Sequence, residues 1–125
     1  SGYRSVISGG DVNSIVGAWS SIGGGICNTI TGAGWFSTIS GGGCNTSSGY
    51  YSGILGGVGN TASCACSMIV GSNIITDRSC ATFVNNLSII DLPDGAGVLP
   101  SGSVYYCSGD SNRIYFVPYS SLPTF

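Results

Sequence analysis

The chain has 125 residues, about one domain's length, with three arginines, no lysine, five aspartates, no glutamate and a formal net charge of −2. Three arginines cannot supply the basic footprint that phosphate backbones require, so no nucleic-acid partner is expected. Histidine and glutamate are absent, which removes the commonest metal ligand and the commonest general acid–base side chain. No apolar run approaches the ~20 residues that span a bilayer, so membrane insertion is not expected either. Twenty-two glycines at such low charge would suit disorder, but 42% hydrophobic content and many β-branched residues argue for ordered β structure.

In chain order the sequence repeats itself. The phrases are "GYRSVISGGDVNSIV" (2–16), "GAWSSIGGGICNTIT" (17–31), "GAGWFSTISGGGCNTSS" (32–48), "GYYSGILGGVGNTAS" (49–63) and a decayed "CACSMIVGSNIIT" (64–76). Serine recurs at Ser5, Ser20, Ser37, Ser52 and Ser67, followed two residues later by Ile7, Ile22, Ile39, Ile54 and Ile69. Paired glycines come next, then Asn13, Asn28, Asn45 and Asn60, each followed by a hydroxyl residue. The period is 15, stretched once to 17 where "GAGWF" adds two residues to a corner.

A fixed short period of this kind predicts a solenoid. The expected fold is all-β, a β-solenoid or β-roll with coils of about 15 residues over 1–76. Each coil would hold two short strands, Ser-x-Ile-x and Asn-Thr-x-x, with glycine corners between them. Stacking at the sheet spacing of ~4.8 Å places isoleucine on isoleucine and asparagine on asparagine. The core is narrow: one isoleucine row joined by Ile15, Ile30 and Ala62. Each buried isoleucine contributes ~2 kcal/mol against ~1–2 kcal/mol of backbone ordering per residue. Oligomerisation is therefore expected, with a homotrimer favoured over a monomeric solenoid with decorated corners.

From Asp77 the pattern changes. "RSCATFV" still fits a coil, with Ala81 in the serine place and Phe83 in the isoleucine place, so 77–89 reads as a last coil and transition strand. "LSIIDL" also reads as a strand, "PDGAGVLPSG" as a turn-rich linker, and "SVYYC" and "RIYFV" as a hairpin around "SGDSN". Residues 90–125 would form a hairpin tip or cap on the open solenoid end. The chain opens inside the repeat without methionine or a cap, as expected of a fragment or processed product.

Few residues have chemical potential. Asp91 and Asp94 in "DLPDG" suit turn formation better than a catalytic pair, and serine nucleophiles lack a histidine base. Enzyme activity is not expected, and neither is a cofactor or metal. Tyr3, Trp19, Trp35, Phe36, Tyr50 and Tyr51 occupy the variable corner before each serine strand and should form an outer stripe. Their rings offer flat apolar faces for sugars or partner proteins, or for packing between chains of a trimer. Cys27 and Cys44 each precede a repeat asparagine, and Cys66 and Cys80 lie 14 apart, so each pair should stack on adjacent coils. A rung spacing of ~4.8 Å lies within the ~4.4–6.8 Å that disulfides span between Cα atoms, whereas Cys64-x-Cys66 is too tight for a zinc knuckle. An ice-binding β-solenoid is a further alternative, weakened because no Thr-x-Thr pair recurs.

The phrases "SxIGGGxxNTIxG", "GSNIITDRSCATFVNNLSI" and "LPSGSVYY" resemble distal tail-fibre and related virion proteins of tailed bacteriophages. The repeat is also similar to the heads of trimeric bacterial autotransporter adhesins, which favour alanine where this chain has isoleucine, so only the architecture transfers. The resemblance implies a structural protein: a rigid trimeric segment of a virion appendage for host attachment. It implies as partners further copies of the chain, other virion proteins and a host cell-surface glycan or protein. The alternative is a bacterial surface adhesin or extracellular filament subunit. A virion protein folds in a reducing cytoplasm, so free buried thiols are expected, with one or two disulfides or a metal site as the alternatives.

Overall fold

The computed structural model describes residues 2–95, 99–109 and 113–118, and among them every regular element is a strand. Glycine density accounts for the lack of helix, since each helical glycine is less favourable than alanine by ~1 kcal/mol. The chain divides into two units, Ser1–Leu87 and Ser88–Phe125.

In the first unit, strands of two or three residues wind as parallel coils. One sheet stacks β1 (Val6–Ile7), β3 (Ser21–Ile22), β5 (Thr38–Ile39), β7 (Gly53–Ile54), β9 (Met68–Val70) and β10 (Thr82–Val84). A second stacks β2 (Ser14–Ile15), β4 (Thr29–Ile30), β6 (Thr46–Ser47) and β8 (Thr61–Ala62). Single bridges linking Asp11, Ile26, Gly43 and Val58 form a third ladder that the two-strand expectation lacks. The unit is a β-solenoid.

Register follows the repeat. Ile7, Ile22, Ile39, Ile54 and Ile69 pair in sequence, and Phe83 pairs with Ile69 in the isoleucine place. Alternation along each strand sends these side chains inward, where they meet Ile15, Ile30 and Ala62. Ile22 is fully buried but Ile7, in the same register, is 41% exposed because no described coil covers it. The two-residue insertion is absorbed in one corner, where the Gly34 N–H bonds to the Thr31 carbonyl and the Trp35 N–H to that of Ala33.

Two polar ladders run beside the isoleucines. Asn28, Asn45 and Asn60 are fully buried. Asn45 Nδ2 donates to the carbonyls of Gly41 (3.1 Å) and Gly57 (3.0 Å), while its Oδ1 accepts the N–H of Asn60 (3.0 Å). Asn28 repeats this with Gly24, Gly42 and the N–H of Asn45. Half-buried Asn13 begins the series, and the Ile74 N–H closes it on Asn60 Oδ1. The serine hydroxyls work similarly: Ser20 Oγ donates to the Gly34 carbonyl and accepts the Ser37 N–H. Among the described residues no buried side-chain nitrogen or oxygen lacks a partner. Buried amides therefore carry little of the desolvation penalty that an unmade bond would impose.

In the second unit β11 (Val104–Cys107) pairs antiparallel with β12 (Arg113–Phe116). The segment joining them, 110–112, lies outside the described residues. Asp94 accepts hydrogen bonds from the Ser108 N–H (3.0 Å) and hydroxyl (2.5 Å). The strand expected over 87–92 does not form: Leu87 and Ile90 are exposed, and no ladder partner meets them among the described residues. Its β-branched residues supply propensity, which without a neighbouring strand does not make a strand.

Candidate functional site

Besides the left-handed second glycine of each pair (Gly10, Gly25, Gly42, Gly57), the coils turn through two further left-handed columns, one just before the repeat serine position and one just before the repeat asparagine position. The first column is Arg4, Trp19, Phe36, Tyr51, Cys66 and Cys80, with φ between 51° and 56°. The second is Val12, Cys27, Cys44, Gly59 and Asn73. From Trp19 onward each N–H in the first column bonds to the preceding rung, as Phe36 does to the Ala18 carbonyl and Tyr51 to that of Trp35. Glycine and asparagine mark such positions in a sequence, but here only Gly59 and Asn73 carry that mark. Sequence reasoning consequently missed the geometry at the other nine.

Shared backbone angles aim successive side chains the same way, so the corner aromatics pile up. Trp19 lies face to face with Phe36 at 5.1 Å between centroids, and Phe36 with Tyr51 at 5.1 Å. Tyr3 meets Trp19 edge-on at 5.8 Å, with the Arg4 guanidinium over its ring at 5.0 Å. Trp35 and Tyr50 form a flanking row, 6.0 Å apart, tied to the first through Trp19 and Tyr51. All six candidate residues thus join one exposed ladder.

Stacking corrects one expectation. Both faces of Phe36 are taken by its neighbours, and one face each of Trp19 and Tyr51. Those faces cannot receive a sugar ring; what the column presents outward is ring edges and phenol groups. A left-handed non-glycine residue costs ~1–2 kcal/mol, and an aromatic pair contributes ~0.5–1.5 kcal/mol beyond burial. Two stacked pairs serve the three left-handed residues Trp19, Phe36 and Tyr51, so stacking offsets part of the strain at these corners. Trp35 is held separately, its indole Nε1 donating to the Gly32 carbonyl at 2.7 Å.

Two other surfaces stand out. On the second sheet Ser14, Thr29, Thr46 and Thr61 are in register facing outward. Thr31, Ser48 and Ser63 follow two residues beyond the last three, so one Thr-x-Thr and two Thr-x-Ser phrases lie on consecutive coils. On the first sheet Gly53 leaves a notch that Met68 overhangs, flanked by Leu55 and Val70.

Cys27 stacks on Cys44 and Cys66 on Cys80, as the spacing predicts. All four are exposed rather than buried, because they occupy the left-handed corners whose side chains point outward. A hydrogen bond with Cys27 raises the Cys44 thiol above its ordinary pKa, and one with Cys80 does the same for Cys66. Cys64 Sγ lies apart, on the Thr76 carbonyl at 3.5 Å. Among the described residues no three histidine, cysteine, aspartate or glutamate side chains gather as a metal centre needs. No protein-family model, curated protein or solved structure matches the chain.

Proposed function

We propose that the chain is a stiff, non-catalytic attachment segment of a phage tail fibre or related virion appendage, assembled as a homotrimer and bound to a host cell-surface glycan or protein. The observation that carries this function is the exposed six-residue aromatic ladder on a rod of repeated coils. Backbone ladders and asparagine stacks supply stiffness; ring edges and phenols along the stripe supply contact. Weak contacts repeated along a trimer add through avidity. Trp35 and Tyr50 are the informative residues, because neither belongs to the face-to-face column. Trp35→Ala and Tyr50→Ala should lower retention on a panel of bacterial cells and immobilised glycans at least tenfold, while Tm falls by only a few degrees. Undiminished retention with either variant would remove the aromatic stripe from the function, and a monomeric mass in solution would remove the trimer.

The aligned hydroxyl row of the second sheet, Ser14, Thr29, Thr46 and Thr61, favours a second function, ordering of water at an ice surface. Thermal hysteresis lost in Thr46→Val would support it, and its absence in the unaltered protein would end it.

A further inference from the structure

Four of the six cysteines occupy corners of the solenoid, and they do so in two adjacent pairs. We propose that each pair, Cys27 with Cys44 and Cys66 with Cys80, is a reversible oxidation site that closes to a disulfide between neighbouring coils.

The left-handed backbone does not by itself call for cysteine. Elsewhere the same conformation is held by Val12, Gly59 or Asn73 at the asparagine corner and by Arg4 or stacking rings at the serine corner. Cysteine appears only where the next or preceding coil also has one. The ladder fixes their register: Ile26 bridges Gly43 just before the first pair, and Met68 pairs with Thr82 just after the second. The Cys44 N–H bonds to the Ile26 carbonyl and the Cys80 N–H to that of Ala65, each holding one corner directly against the next. Coil spacing of ~4.8 Å falls within the ~4.4–6.8 Å that disulfides span at Cα. Parallel side chains keep a similar spacing at Cβ, wider than the ~3.8 Å mean of disulfides, so closure draws the corners together and the bond is readily reduced. All four thiols are exposed to reagents.

The oxidant is a low-molecular-weight disulfide such as oxidised glutathione. One protein thiolate attacks a reagent sulfur, forming a mixed disulfide and releasing one small thiol. The neighbouring thiolate then attacks the protein sulfur of that bond and expels the second small thiol. The pair gives up two electrons and two protons, and the reagent takes them as two thiols. The first bond ties the coils on either side of the lengthened corner. The second ties β9 to β10, beyond the last strand of the second sheet, where β10 is held along the first sheet only.

The native protein, incubated with oxidised glutathione and digested without reduction, should yield Cys27–Cys44 and Cys66–Cys80 peptides by mass spectrometry. Amide exchange over Thr82–Val84 should slow at least tenfold and recover in reduced glutathione. Four separate glutathione adducts, a Cys64–Cys66 bond or links between chains would overturn the proposal. In Cys44→Ser, Cys27 should hold one glutathione adduct while Cys66–Cys80 still closes; a new partner for Cys27 would also refute it. Cys80→Ser should abolish the slowing at β10, and slowing that persists would show that the second bond is not its cause.

Discussion

The solenoid and the C-terminal unit are built from the same apolar residue types but use them in opposite ways. Ile22, Ile30 and Ile39 are fully buried in coils of two-residue strands, whereas Ile114 and Phe116, on a four-residue strand, are mostly exposed. Strand length and propensity are therefore not what buries a side chain here. Stacking is: a coil covers its neighbour on both sides, whereas the two-stranded ribbon leaves Ile114 and Phe116 on its surface. Ile7 makes the same point inside the solenoid, since its register matches Ile22 and its burial does not.

That contrast can be broken at its strongest point with Gly42. Its φ is +88°, and a Cβ there would strike the Gly57 carbonyl of the next coil. Gly42→Ala should lower unfolding free energy by more than about 3 kcal/mol, read by denaturant titration of the β circular-dichroism signal. An Ile39→Ala variant should cost about 2–5 kcal/mol by the same measurement, because the site is closed on all sides. Ile7→Ala, at the uncovered coil, should cost less than about 1 kcal/mol; equal losses at the two sites would mean that stacking is not the source of burial. The smallest effect belongs to the C-terminal unit. Bonds from the Ser108 hydroxyl and N–H hold the Asp94 pKa below its ordinary 3.8. Their stabilisation is complete above that value and is lost as pH falls through the lower folded pKa. The Ser108 amide resonance should shift in that acid window, and Asp94→Asn should abolish the shift while leaving the solenoid amides unmoved.

Much of the solenoid was legible because its determinants are periodic. Isoleucine and asparagine positions fix inward face and register at once, and the glycine pairs mark one corner directly. The third ladder was not legible, since Asp11, Ile26, Gly43 and Val58 share no residue type. Nor were the left-handed corners, where arginine, tryptophan, phenylalanine, tyrosine and cysteine have no intrinsic preference for positive φ. Membership of the aromatic stripe could be read from spacing, but not that the rings of Trp19, Phe36 and Tyr51 cover each other; that follows from angles the sequence does not encode locally. The segment 87–92 misled in the other direction, having strand-like composition and, among the described residues, no strand to join.

The asparagine ladder makes the rod's length an editable quantity. Each amide oxygen serves only the next turn, and each amide nitrogen reaches one glycine in its own turn and one beyond. A tandem copy of 49–63 would thus keep 32–48 on one side and 64–76 on the other, and its one new junction, the phrase against itself, would again set asparagine on asparagine and isoleucine on isoleucine, adding ~4.8 Å of reach. A molecule so ruled in equal increments lets duplication or loss of one phrase reset how far it extends.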